Sequence, residues 1–110
     1  MTIKTIARAS AVCLAMIAPP ASSQDAARIE QGREILQQKC AKCHATASTG
    51  PSPMQEAPPF RDLHLKYDVG HLAEALAEGI VSGHPAMPEF IFPPAEIDAI
   101  IGYIQSLSGP

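Results

Sequence analysis

The stretch Lys39-Cys40-Ala41-Lys42-Cys43-His44 sets two thiols three positions apart and an imidazole directly after the second. A chain of 110 residues has material for one small domain, and a cluster of this kind decides what that domain is built around. Zinc binding, thiol exchange and covalent haem attachment all use such a cluster. A structural zinc site needs four ligands, commonly as two pairs. No second pair exists here, and His64, His71 and His84 lack the matching spacing. A thiol-exchange motif belongs at a helix start within a βαβ pattern. This chain carries a helical pattern before the motif and no strand pattern. In haem attachment each thiol adds across one vinyl group of the porphyrin, and the next residue turns its imidazole to the iron. Cys40, Cys43 and His44 supply these three groups in order, so one covalent haem c is the expected cofactor.

Residues 1–23 are expected to be a signal peptide, with 24–110 as the functional domain. Lys4 and Arg8 precede an apolar run from Ala11 to Ala18, and Pro19-Pro20-Ala21-Ser22-Ser23 follows with small residues. The run is shorter than the roughly 20 residues that span a bilayer; retention as an anchor is the rival reading. Cleavage would remove Cys13 and take the net charge from −3 to about −5. Export places the domain in an oxidising compartment, with the periplasm as its expected location. Without a basic face, nucleic acid is not an expected partner. A domain this small buries too little apolar surface to be secure alone. With two cysteines left, both in the motif, a large cofactor is the fastening on offer.

The fold expected from the pattern is all-α, with three main helices and long loops. Residues 25–39 read as a helix with Asp25 as N-cap and with Ala26, Ile29, Ile35 and Leu36 on one broad face. Gly32 in its middle costs about 1 kcal/mol relative to Ala, which close approach by another helix would offset. Residues 46–62 are rich in Pro, Gly and Ser and read as loop, with a helical turn in Leu63–Tyr67. Residues 69–80 read as the second helix, capped by Asp68 and ended by Gly79 or Gly83. Val69, Leu72, Ala73, Leu76 and Ile80 share one side of it. Residues 82–94 form a second Pro-rich loop. The last helix, 95–107, carries Ile97, Ile100, Ile101, Ile104 and Leu107 at i, i+3, i+4, i+7 spacing.

Haem iron held by His44 has a second axial position, and what fills it separates electron transfer from ligand chemistry. Met54 follows His44 by only ten residues, a tight span for crossing from one haem face to the other. Met87 lies beyond the second helix in Gly83-His84-Pro85-Ala86-Met87-Pro88, where prolines stiffen the backbone on both sides. Met87 is the expected ligand and His84 the runner-up. His64 and His71 are expected to be solvated or packing residues. Phe60, Leu63, Leu72, Leu76, Ile80, Phe90 and Ile101 are candidate pocket walls.

Residues 25–107 as a whole resemble the small class I cytochromes c of the bacterial periplasm. The resemblance rests on the first helix with Gly32, on Cys40-Ala41-Lys42-Cys43-His44, on Ala57-Pro58-Pro59-Phe60-Arg61-Asp62-Leu63, on the Met87 loop and on the last helix with Tyr103. It implies helices and loops wrapped around one covalent haem, with His44 and Met87 as axial ligands. It also implies that the first and last helices cross where Gly32 meets Tyr103. A proline carbonyl in the first loop should accept from the axial histidine, with Pro51, Pro53, Pro58 and Pro59 as candidates. Without Trp, Arg61 or Tyr67 would have to serve a haem propionate.

The function expected is a soluble one-electron carrier in a periplasmic chain, not an enzyme. It would be a monomer with no stable membrane insertion and with redox proteins as donor and acceptor. The acid balance suggests partners with a positive or apolar docking face. Two other roles stay open: a haem-based binder or sensor in which a small ligand displaces Met87, and an electron-accepting subunit dedicated to a dehydrogenase.

Overall fold

The computed structural model describes residues 2, 6–18, 20–80 and 86–108. Its helices are α1 (Ala21–Lys39), α2 (Leu72–Glu78) and α3 (Pro94–Leu107), and two short 3₁₀ segments, Phe60–Leu65 and Val69–His71, precede α2. No strand occurs among the described residues.

The first helix starts at Ala21, earlier than expected. The Pro20 carbonyl accepts from the backbone N–H groups of Ser23 and Gln24 at 3.0 and 3.3 Å and from Ser23 Oγ at 2.9 Å. In the uncleaved chain this nucleates the first turn, so Asp25 is not the N-cap there. It lies one turn inside and pairs with Arg28 at 3.6 Å. Ala26, expected on the apolar face, is exposed. Gly32 and Leu36 are the buried positions of α1.

The helix α3 needs no side-chain cap. Pro94 occupies its first turn, where the missing N–H costs nothing and φ is already helical. Ile97, Ile100 and Ile104 are buried, with Ile101 and Leu107 packed against them. Each such burial stabilises by about 1.5–3 kcal/mol. The main pairing in the molecule is α1 against α3, and Gly32 is its closest point. A β-carbon there would run into the Ala99 carbonyl and lie 2.9 Å from Tyr103 Cβ. The chain spends a glycine in mid-helix because backbone meets backbone at this crossing.

The second helix is shorter than the pattern suggested. Asp68 caps as expected, accepting from Gly70 N–H at 2.8 Å, but the turn it starts is 3₁₀, and α-helical bonding begins at Leu72. Gly79 ends α2 with φ +103°, a backbone that favours glycine. Phe92 N–H then donates to Leu76 O at 2.9 Å and brings the chain back along α2. The core is thus Leu36, Leu63, Val69, Leu76, Phe92 and the α3 isoleucines, with Phe60 and Tyr103 at one end. That end faces the turn that follows α1.

Candidate functional site

The motif is one compact turn at the end of α1. Cys40 and Ala41 N–H both donate to Leu36 O, at 2.8 and 3.0 Å. Cys43 and His44 N–H then donate to Cys40 O at 3.1 and 2.9 Å. Helical geometry carried one turn further brings both sulfurs and the imidazole to one cavity of about 630 Å³, within the range of cofactor pockets.

Met87, 43 residues beyond His44 in sequence, lines this cavity together with Cys40, Cys43 and His44 of the motif. The lining is otherwise mostly apolar, with Met54, Ala57, Pro58, Ala86, Pro88 and Phe90, and Lys39, Lys42 and Glu56 complete it. The net acidity of the chain is therefore not repeated at the cavity. His64 and His71 are exposed and lie outside this lining. His84 and Pro85, with Val81, Ser82 and Gly83, lie outside the described residues.

Two contacts fix the imidazole of His44. Its Nδ1 lies 2.8 Å from Pro58 O. A carbonyl oxygen only accepts, so Nδ1 carries the proton and Nε2 keeps its lone pair for a metal. Phe60 stacks on the ring face, with centroids 4.6 Å apart and planes 21° apart. The loop around them is pinned in several places. Ala45 N–H donates to Ser52 Oγ at 2.9 Å. Phe60 N–H donates to Ala45 O at 3.0 Å. Met54 N–H donates to Cys43 O at 3.0 Å, tying Met54 to the turn that carries His44.

Among the four prolines it is Pro58 whose carbonyl meets His44. Of the expected walls Phe90 lines the cavity, whereas Phe60, Leu63 and Leu76 are core and Leu72, Ile80 and Ile101 pack against it. Arg61 reaches back to Ala47 O at 3.5 Å and Tyr67 is exposed, so neither lines the cavity. Met54, weighed in sequence as an axial ligand, lines the cavity, whereas Phe60 as the partner of His44 was missed. The Pro58-Pro59-Phe60 run was visible, but its closure onto residues 44 and 45 was not.

The geometry separates the three chemistries. Cys40 and Cys43 form no disulfide with each other. Burial, then the neighbouring Cys43, pushes the Cys40 thiol up to about 11, the opposite of the lowered value that makes a thiol-exchange nucleophile. No group of three or more His, Cys, Asp or Glu side chains able to hold a metal ion occurs among the described residues. A metal that brings its own equatorial ligands, needing only axial donors and two thiols, fits this set. Likewise, no helix among the described residues is long and apolar enough to cross a membrane.

Searches against curated proteins and solved structures found no match. The family model described as cytochrome C oxidase, cbb3-type, subunit III matches residues 27–104. The chain belongs to this family, and is a small c-type cytochrome: an all-α domain with covalently bound haem c that acts as a haem-based electron carrier.

Proposed function

We propose that this cytochrome is a one-electron carrier of the periplasm, with haem stapled through Cys40 and Cys43 and gripped by His44 Nε2 and Met87 Sδ. In this reading residues 1–23 are a cleaved signal peptide, and the helices and loops of 24–110 wrap the haem. The domain works as a monomer without bond chemistry of its own. The observation that carries the reading is the convergence of Cys40, Cys43, His44 and Met87 on one cavity, together with the Nδ1 contact that leaves Nε2 of His44 free.

The bound haem supplies an Fe(III)/Fe(II) couple. The protein's part is to hold both axial donors in place, so that little rearranges when the electron arrives. Pro58 O and Phe60 hold the imidazole. Pro88, beside Met87, stiffens the loop and limits the entropy lost in placing the thioether. A neutral sulfur ligand favours Fe(II) and raises the potential relative to two histidines. Ala57, Pro58 and Phe90 give the site apolar walls, which disfavour the extra charge of Fe(III). Lys39, Lys42 and Glu56 give the cavity a mixed charge, so contact with donor and acceptor proteins rests on apolar surface with weak steering by charge.

The test is an intact mass and a visible spectrum of protein from a host competent in cytochrome c maturation. One added haem and the far-red ferric band of an iron–thioether bond are expected, and reduced protein should bind carbon monoxide slowly. Colourless protein would refute the reading. Rapid carbon monoxide capture would replace the carrier with a ligand sensor.

A further inference from the structure

We infer that Phe60 is a positioning residue for the axial imidazole: it sets the rotation of the His44 ring about the bond from Nε2 to iron. The inference rests on the reading of His44 as an axial ligand. Phe60 looked in sequence like a haem-pocket wall. In the fold it lies behind the histidine, face to face with the imidazole at 4.6 Å and 21°.

The two restraints on His44 act in different directions. The Nδ1–H···O bond to Pro58 fixes where one ring atom points. Such bonds stay near full strength over roughly 30° of misalignment, so this bond alone lets the ring twist. A twist swings one ring edge out of plane, and on that path stands Phe60. The phenyl ring cannot simply give way. It is 8% exposed and belongs to the core. Its own N–H is bonded to Ala45 O at 3.0 Å, one residue beyond His44. It also opens the 3₁₀ segment that Leu63 anchors in the core. The stack therefore joins the axial ligand to the packed interior through a contact one residue deep.

The plane of an axial imidazole selects which iron orbital holds the unpaired electron of Fe(III), and hence how spin spreads over the macrocycle. Proton NMR of the ferric holoprotein reads this from the paramagnetically shifted haem methyl signals. Phe60→Leu, and Phe60→Met as a second variant of similar volume, should change the order or spacing of these methyls while haem stays attached and the iron–thioether band persists. Leu76→Ala, in the core on α2 and outside the segment that carries Phe60, is the control: it should lower the melting temperature at least as much and leave the methyl pattern alone. An unchanged pattern in both Phe60 variants, or an equal change in Leu76→Ala, would overturn the inference and leave the ligand reading intact. A wild-type ferric spectrum without the shifted signals of a coordinated imidazole would overturn the ligand reading itself, and the inference with it.

Discussion

The hydroxyl of Tyr103 donates to the carbonyl oxygen of Thr46 at 2.6 Å. The bond joins α3 to the chain two residues beyond His44, and both residues are buried. Tyr103 is also, with the Ala99 backbone, what Gly32 packs against, so a single side chain serves the helix crossing and the turn bearing the axial histidine. Tyr103→Phe keeps the ring and strands a buried carbonyl. A loss of about 1–3 kcal/mol is expected, read as a lower denaturation midpoint of the holoprotein. An unchanged midpoint would show that this bond does not fasten the turn.

The same phenol makes stability depend on alkaline pH. Burial raises Tyr103 above its ordinary value of 10.0, with Arg33 opposing. The folded protein keeps the phenol proton where the unfolded chain releases it. The contribution is complete below about pH 10 and disappears as pH rises through the folded value. Burial raises Tyr67 in the same direction, so Tyr103→Phe should keep part of the slope. Denaturation curves above pH 10 should fall more steeply for the wild type than for the variant, and equal slopes would contradict the assignment to Tyr103.

Two glycines at the α1–α3 interface make opposite predictions. A β-carbon on Gly32 would meet the Ala99 carbonyl carbon at 2.6 Å and Tyr103 Cβ at 2.9 Å, parts of the backbone and of a buried ring that cannot step aside. Gly32→Ala should cost about 1–3 kcal/mol in spite of alanine's better helix propensity. On Gly102 the nearest atom would be the Arg28 guanidinium carbon at 3.5 Å, the far end of a flexible side chain. Gly102→Ala should be neutral or stabilise by up to about 1 kcal/mol. Equal effects in thermal melts would show that the crossing is not tightest at Gly32.

What the sequence disclosed follows from which constraints are local. The Cys40–His44 motif was legible because attachment needs three groups on one turn. The faces of α2 and α3 were legible because Ile97, Ile100 and Ile104 repeat with the helix period. Asp25 is not the cap in the uncleaved chain because a carbonyl, that of Pro20, starts α1 there, and carbonyls leave no side-chain signal. Choosing Pro58 among four prolines needs the loop to close onto residues 44 and 45, which no spacing encodes. Phe90 and Leu76 look alike in sequence, yet one lines the cavity and the other the core. The partner of His44 was hidden for the same reason, since a phenylalanine in a Pro-rich loop says nothing about which ring it will stack on.

Removing both attachment thiols tests how far the haem is part of the core. The cavity of about 630 Å³ lies beside a core of little more than a dozen buried apolar residues among those described, and domains of this size depend on such fastening. Cys40→Ala with Cys43→Ala should yield no attached haem and lose the cooperative thermal transition. A folded, colourless double variant with a sharp transition would show that the helices stand without the cofactor.

Met87→Ala separates attachment from ligation. The thiols and His44 stand on the turn after α1, whereas Met87 stands on the loop between α2 and α3, so deleting the thioether should leave the added haem mass unchanged. The far-red band should vanish, and reduced protein should take up carbon monoxide quickly. Loss of a ligand that favours Fe(II) should lower the potential by more than about 59 mV, a tenfold change for a one-electron couple. Met54 also lines the cavity, but its N–H is bonded to Cys43 O at 3.0 Å, which keeps its backbone at the turn bearing His44. Met54→Ala should therefore preserve the band. If the band instead survives Met87→Ala and disappears in Met54→Ala, the sulfur on iron belongs to the first loop.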